Sequence, residues 1–149
     1  SVNVAALIGH NDVRKAVMGT VNRDPTEVEM LQMEQLVEKA MKSGAVGMST
    51  GLIYIPGTYS KTEEVVRLAK VAAKYQGVYA SHMRDEGDSV VQAIEEALYI
   101  GKEAGLPVQI SHFKLSGQQN WGRSRETIPM VMQARQQGLD VTIDQYPYT

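Results

Sequence analysis

Gly77-Val78-Tyr79-Ala80-Ser81-His82 and, thirty residues on, Pro107-Val108-Gln109-Ile110-Ser111-His112 are two apolar runs that each end in Ser-His and are each followed, two residues later, by a cation, Arg84 and Lys114. A short apolar run rich in β-branched residues and bounded by Gly or Pro reads as a buried strand. Three similar runs flank these two, so strands are expected over 4–9, 46–50, 78–82, 108–112 and 141–145. Their starts are separated by 42, 32, 30 and 33 residues, and amphipathic stretches over 27–42, 61–75, 88–104 and 126–137 predict helices in the gaps. Thr26 with Glu29 and Ser60 with Glu63 fit the capping box, and Asp88 is a candidate cap for the third helix. Gly44, Gly77, Gly105 and Gly138 follow the helices where left-handed termination is expected. The first interval is longer because 11–26 reads as a polar connection.

Strands alternating with helices at this spacing specify βα units and a parallel sheet, either a closed barrel or an open doubly wound sheet. The near-constant repeat favours the barrel. So do the polar groups after each strand: His10, Thr50, His82 with Arg84, His112 with Lys114, and Asp144 with Tyr146. A barrel gathers all its strand ends around one axis, whereas an open sheet spreads them along a line. The reading is therefore α/β, a segment of a TIM-like (β/α)8 barrel with about five parallel strands and four helices. A closed barrel needs eight strands, in about 250 residues, so the chain is expected to be part of one, with the remainder of the barrel as its partner.

A net charge of -2 and a pI near 5.9 give no reason to expect nucleic acid or an anionic membrane as a partner. No apolar stretch reaches the roughly 18 residues of a membrane span, and the start lacks the basic-then-apolar order of a secretory signal, so a cytoplasmic location is expected. Without cysteine, the chain offers neither disulfides nor thiolate ligands.

Residues i and i+2 of a strand face the same way, so each histidine and its cation project together if the extended backbone persists. Two imidazoles closing successive strands suggest a metal site, against the alternative of ordinary hydrogen-bonded strand ends. Lys114 shares a face with His112 and is a candidate substrate contact. Arg84 is a candidate as well, with pairing to Asp85 or Glu86 as its plainer role. His10 and Asp144 read as hydrogen-bonding neighbours. Ser49 and Ser81 do not lie in Gly-x-Ser-x-Gly and are not read as nucleophiles. The eight methionines read mostly as core filler.

Gly44-Ala45-Val46-Gly47-Met48-Ser49-Thr50-Gly51-Leu52, Tyr79-Ala80-Ser81-His82-Met83-Arg84, Ile110-Ser111-His112-Phe113-Lys114 and Asp144-Gln145-Tyr146-Pro147-Tyr148, with the opening Val4-Ala5-Ala6-Leu7-Ile8-Gly9-His10, together resemble the N-acyl-D-amino-acid deacylases of the amidohydrolase superfamily. The resemblance covers essentially the whole chain and implies barrel strands three to seven. It implies that residues 1–149 are a partial metal-dependent hydrolase barrel in which His82 and His112 bind zinc. Lys114, Tyr54 and Tyr146 would hold the carboxylate of a small N-acyl amino acid. The family's His-x-His pair, cysteine ligand and catalytic aspartate match nothing here, so no residue of the chain, Asp144 included, is assigned as the general base. The activity implied is zinc-dependent hydrolysis of N-acyl-D-amino acids to a carboxylate and a free D-amino acid. One alternative is a cyclic-amide hydrolase of the dihydroorotase or hydantoinase type, which the lack of a lysine closing the 46–50 strand disfavours. Another is a non-catalytic barrel fragment.

Overall fold

A computed structural model describes residues 1–147. The elements run β1 (Leu7–Gly9), α1 (His10–Met18), α2 (Glu27–Lys42), β2 (Gly47–Gly51), α3 (Thr62–Ala73), β3 (Val78–His82), α4 (Val90–Ala104), β4 (Val108–Ile110), α5 (Ser124–Gln136) and β5 (Val141–Ile143). All strands are parallel and their order in the sheet is their order in the chain, β1-β2-β3-β4-β5. Helices next to one another in sequence touch from α1 through to α5, so they cover one face of the sheet, as they do around a barrel. Among the described residues no helix is long and apolar enough to cross a membrane.

Alternation decides which side chains meet the helices. Met48 and Thr50 of β2, Tyr79 and Ser81 of β3, and Val108 and Ile110 of β4 are buried, whereas their strand neighbours Ser49, Ala80, His82 and Gln109 are only partly so. The helix side of the core is completed by stripes at helical spacing, such as Met30, Met33, Val37 and Met41 of α2 and Val90, Ala93, Ile94, Ala97 and Ile100 of α4. Of the methionines, Met132 is exposed and the others are buried or partly buried.

Several local expectations are met and several are corrected. The capping box at Thr26 and Glu29 is present on both sides. At α3 the expected box at Ser60 is absent: Lys61 is the N-cap, and the Ser60 hydroxyl donates to the Gly57 carbonyl at 2.7 Å instead. Asp88 does not cap α4, because its carboxylate accepts from Gln119 (3.0 Å) and Asn120 (2.9 Å) of the loop after β4. Ahead of β3 the left-handed residue is Gln76, at φ 57, not Gly77. Gly77 is required for room: a Cβ there would lie 2.9 Å from Met41 and 3.0 Å from the Ala72 carbonyl.

The largest correction is α1, a fifth helix inside the stretch read as a polar connection. Its buried face consists of His10, Val13, Arg14 and Met18. Hydrophobic periodicity misses such a face because half of it is polar. These polar groups are paired across the fold, although His10 Nδ1 and Arg14 Nε are buried without a hydrogen-bond partner. His10 Nε2 lies 2.8 Å from Glu64 Oε1, Arg14 pairs with the other oxygen of Glu64, and Arg14 also donates to the Arg23 carbonyl at 2.6 Å.

Gly47 permits the close pairing of β2 with β3: a Cβ would stand 2.1 Å from the Val78 carbonyl oxygen, which is backbone and cannot swing aside. Gly47→Ala is expected to destabilise by about 1–3 kcal/mol, the usual cost of forced overpacking, read as a lower urea midpoint. An unchanged midpoint would mean that the strands separate freely.

Candidate metal centre

His82 and His112 meet at the C-terminal end of the sheet, with His82 Nδ1 2.7 Å from His112 Nε2 and the rings edge to face at a centroid distance of 4.3 Å. They reach this position by different routes. Ser81 pairs with Ile110, and the Ser111 amide donates to the Ser81 carbonyl at 2.9 Å, so His82 falls level with Ser111 and the histidines are one residue out of step. A strand continuing past Ile110 would therefore send His112 towards the helices. Instead β4 ends at Ile110 and His112 takes a left-handed backbone, φ 41, which turns its ring back towards His82. Such a conformation in a non-glycine residue costs on the order of 1–3 kcal/mol and persists only where the surroundings hold it. Asp144, at the end of β5, does so: its carboxylate accepts the His112 amide, its own carbonyl accepts the Phe113 amide at 2.8 Å, and Gln109 Nε2 donates to its second oxygen at 2.8 Å.

Around the imidazoles the structure gathers three of the other candidate residues. The Tyr54 ring, on the loop after β2, is 4.9 Å from His82, and the Tyr146 ring stacks on His112 at 5.7 Å. Lys114 Nζ is 3.2 Å from His112 Nδ1 and 5.2 Å from the centre of the Tyr146 ring. Tyr148 lies outside the described residues. Arg84 is placed differently from the expectation. It makes a double contact with Glu96 (2.9 and 2.8 Å) and donates to the carbonyls of Thr58 (3.1 Å) and Ser60 (3.0 Å), tying the loop that carries Tyr54 to α4. Ser81 is fully buried beneath Thr50 Oγ1, which excludes it as a nucleophile facing solvent.

Sequence reasoning missed Glu86 as part of this group. Its side chain is 11% exposed; Oε2 is 2.6 Å from Lys114 Nζ, while Oε1 lies 2.8 Å from His112 Nδ1 and 3.9 Å from His82 Nε2. The loop between His82 and Glu86 has no strand or helix period, so no spacing rule points to the carboxylate. Oε1 is buried, and its approach to Nδ1 lacks hydrogen-bond alignment, leaving it without a donor. Burial pushes the His82 imidazole below its ordinary pKa, and the neighbouring His112 and Lys114 act in the same direction against the opposing pull of Glu86. A neutral ring with a free lone pair is the form a metal requires.

The donor set fits a divalent metal. His82, Glu86 and His112 each offer one ligand atom, all within 4.8 Å of one another. Imidazole and carboxylate are zinc donors, and a catalytic zinc takes three protein ligands and leaves one position open.

No protein-family model matches the chain. It is 46% identical over 148 residues to D-aminoacylase of Alcaligenes xylosoxydans xylosoxydans, a match covering 99% of this chain and 30% of that protein. The chain is homologous to one segment of the D-aminoacylases. N-acyl-D-glutamate deacylase of the same organism is 42% identical, again over 99% of the chain and 30% of the relative. The chain thus spans about a third of the length of the relatives it matches. The crystal structure of N-acyl-D-glutamate deacylase from Bordetella bronchiseptica, complexed with zinc and a phosphonate mimic of the tetrahedral intermediate, matches with a TM-score of 0.95 at 44% identity, covering 99% of this chain and 31% of that one. A D-hydantoinase structure matches with a TM-score of 0.58 at 14% identity, over 82% of this chain and 30% of that one, and shares the fold alone.

Proposed function

We propose that this chain forms the zinc-binding arc of an amidohydrolase barrel that hydrolyses N-acyl-D-amino acids to a carboxylate and a free D-amino acid. The observation that carries the reading is the convergence of His82 and His112, 2.7 Å apart, beside Lys114. The relatives and the zinc-complexed structure support the substrate class and the metal. Zinc held by the two imidazoles supplies Lewis acidity, enough to make water a nucleophile near neutral pH and to polarise an amide carbonyl. Lys114 receives the substrate carboxylate, and Tyr54 and Tyr146 flank the same mouth. Arg84 receives no substrate role, since its donors serve Glu96 and the loop carbonyls. Asp144 is no general base, because its carboxylate holds the His112 amide and Gln109. The base and a further ligand are assigned to the rest of the barrel.

The test is hydrolysis of N-acyl-D- and N-acyl-L-amino acids by the intact protein, before and after chelation and with zinc restored. Selective, zinc-restorable cleavage of the D-substrate is expected; hydrolysis indifferent to chelation would refute the reading. For Lys114→Met, the apolar stem is kept and the charge lost. A charge-assisted contact is worth about 1.5–3 kcal/mol, so kcat/KM should fall by about one to two orders of magnitude. An analogue with an amide in place of the carboxylate should lose far less. Equal losses on both substrates would place the carboxylate elsewhere.

A further inference from the structure

We infer that Glu86 is a positioning residue that selects the metal-binding nitrogen of His112 and, through its other oxygen, holds Lys114 in place. The inference rests on the zinc reading above and moves Glu86, whose carboxylate is one of the three donors of the cluster, from the ligand set to a place behind His112. It comes from accounting for protons. The Lys114 ammonium has only donors and satisfies Glu86 Oε2 at 2.6 Å. Glu86 Oε1 is buried without a donor, and His112 Nδ1 lies 2.8 Å from it; the Lys114 ammonium also reaches Nδ1, at the longer distance of 3.2 Å, a contact that gives way to the 2.6 Å one with Oε2 once Nδ1 carries the proton. Leaving a buried carboxylate oxygen unpaired is costly. A slight ring rotation that aligns Nδ1–H with Oε1 satisfies it, and only one neutral tautomer of His112 carries that proton. In this tautomer Nε2 holds the free lone pair, and Nε2 is the atom facing His82 Nδ1 at 2.7 Å. In the metal-free contact His82 Nδ1–H donates to that lone pair, and a metal that displaced this proton would be offered His82 Nδ1 and His112 Nε2.

Glu86 thus fixes both ends of the reaction geometry at once. Oε1 orients the imidazole that holds the metal, and Oε2 orients the cation that receives the carboxylate. A carboxylate behind a metal-bound histidine also raises the basicity of the ring.

The experiment compares the intact wild-type protein with Glu86→Leu and Glu86→Gln, measuring zinc dissociation constants by competition with a chromophoric chelator and recording the visible spectrum of the cobalt-loaded forms. Glu86→Leu should bind zinc about 10–100-fold more weakly, the usual effect of removing such a partner. Glu86→Gln should recover most of the affinity and the wild-type cobalt spectrum, because its amide oxygen still accepts from Nδ1–H. Its KM for the N-acyl-D-amino acid should still rise, because an amide nitrogen cannot pair with Lys114. Wild-type affinity in Glu86→Leu would overturn the assignment, and so would a glutamine variant as weak as leucine with an altered spectrum, which would make Glu86 a ligand. If Glu86→Leu does not fold, Glu86→Asp, which withdraws the carboxylate by one methylene, should show the weakened binding in its place, and wild-type affinity there would overturn the assignment equally. A wild-type protein that binds zinc no better than His112→Ala would instead defeat the zinc reading and the role of Glu86 with it, an outcome distinct from the other two.

Discussion

Alanine in place of His82 or His112 is expected to strip the intact protein of tightly held zinc and of nearly all hydrolysis. Each substitution deletes one of the two imidazole donors that meet at 2.7 Å, and the remaining member of the metal-capable group, Glu86, offers only oxygen. The loss of zinc affinity should exceed the roughly 10–100-fold that follows from removing a residue behind a ligand. The two variants should also resemble each other, although one residue ends a regular strand and the other sits on a turned backbone. Metal analysis after gel filtration, paired with a D-substrate assay, gives the answer. Stoichiometric zinc with near-normal turnover in either variant would remove that histidine from the metal.

The second large effect lies in the buried trio of α1 and α3. His10 and Arg14 are fully buried and Glu64 is 5% exposed, and among the described residues Glu64 is the acidic partner of both. Glu64→Leu should destabilise by about 3–5 kcal/mol, because it leaves Arg14 charged and uncompensated in the core. Replacing all three residues with apolar ones should cost much less, since an intact buried ion cluster contributes little net stability over a well-packed apolar one. Denaturant midpoints of the single and triple variants make this comparison, and a single variant costing less than about 1 kcal/mol would contradict it. Burial pushes the Glu64 carboxyl up in pKa, but hydrogen bonds from His10 and Arg14 outweigh this and hold it below its ordinary 4.5. The contribution is therefore complete above about pH 4.5 and is lost as the medium acidifies through the lower folded value.

How much of this was legible in the sequence depended on whether the information was local. β3 lies at 78–82 as the apolar run implies, and α2 carries its capping box, because both follow from side chains a few residues apart. The convergence of the histidines was legible too, although the premise of equivalent positions was not: continued alternation would have separated them. Their meeting depends on the left-handed backbone at His112, held by a residue 32 positions away. Glu86 and Arg84 show the same limit. Four residues of irregular loop place Glu86 under His112, while Arg84 found its partner in Glu96, two turns into α4, and not in the adjacent Asp85 or Glu86. α1 was missed because its buried face is built on a salt bridge to α3.

The latch that Asp144 forms on His112 makes the centre conditional on the docking of β5. β5 is three residues long, pairs on one side with β4 among the described residues, and carries beyond its end both the carboxylate that holds the His112 backbone and the tyrosine stacked on its ring. Were β5 to separate from β4, His112 would lose the contacts that hold its left-handed backbone, and its ring would no longer be kept against His82. Apparent metal affinity is then the intrinsic affinity multiplied by the fraction of molecules with β5 docked. Metal bound between the imidazoles would in turn favour the docked β5 by mass action. A metal at this centre would thereby fasten β5 to β4 as well as take part in chemistry.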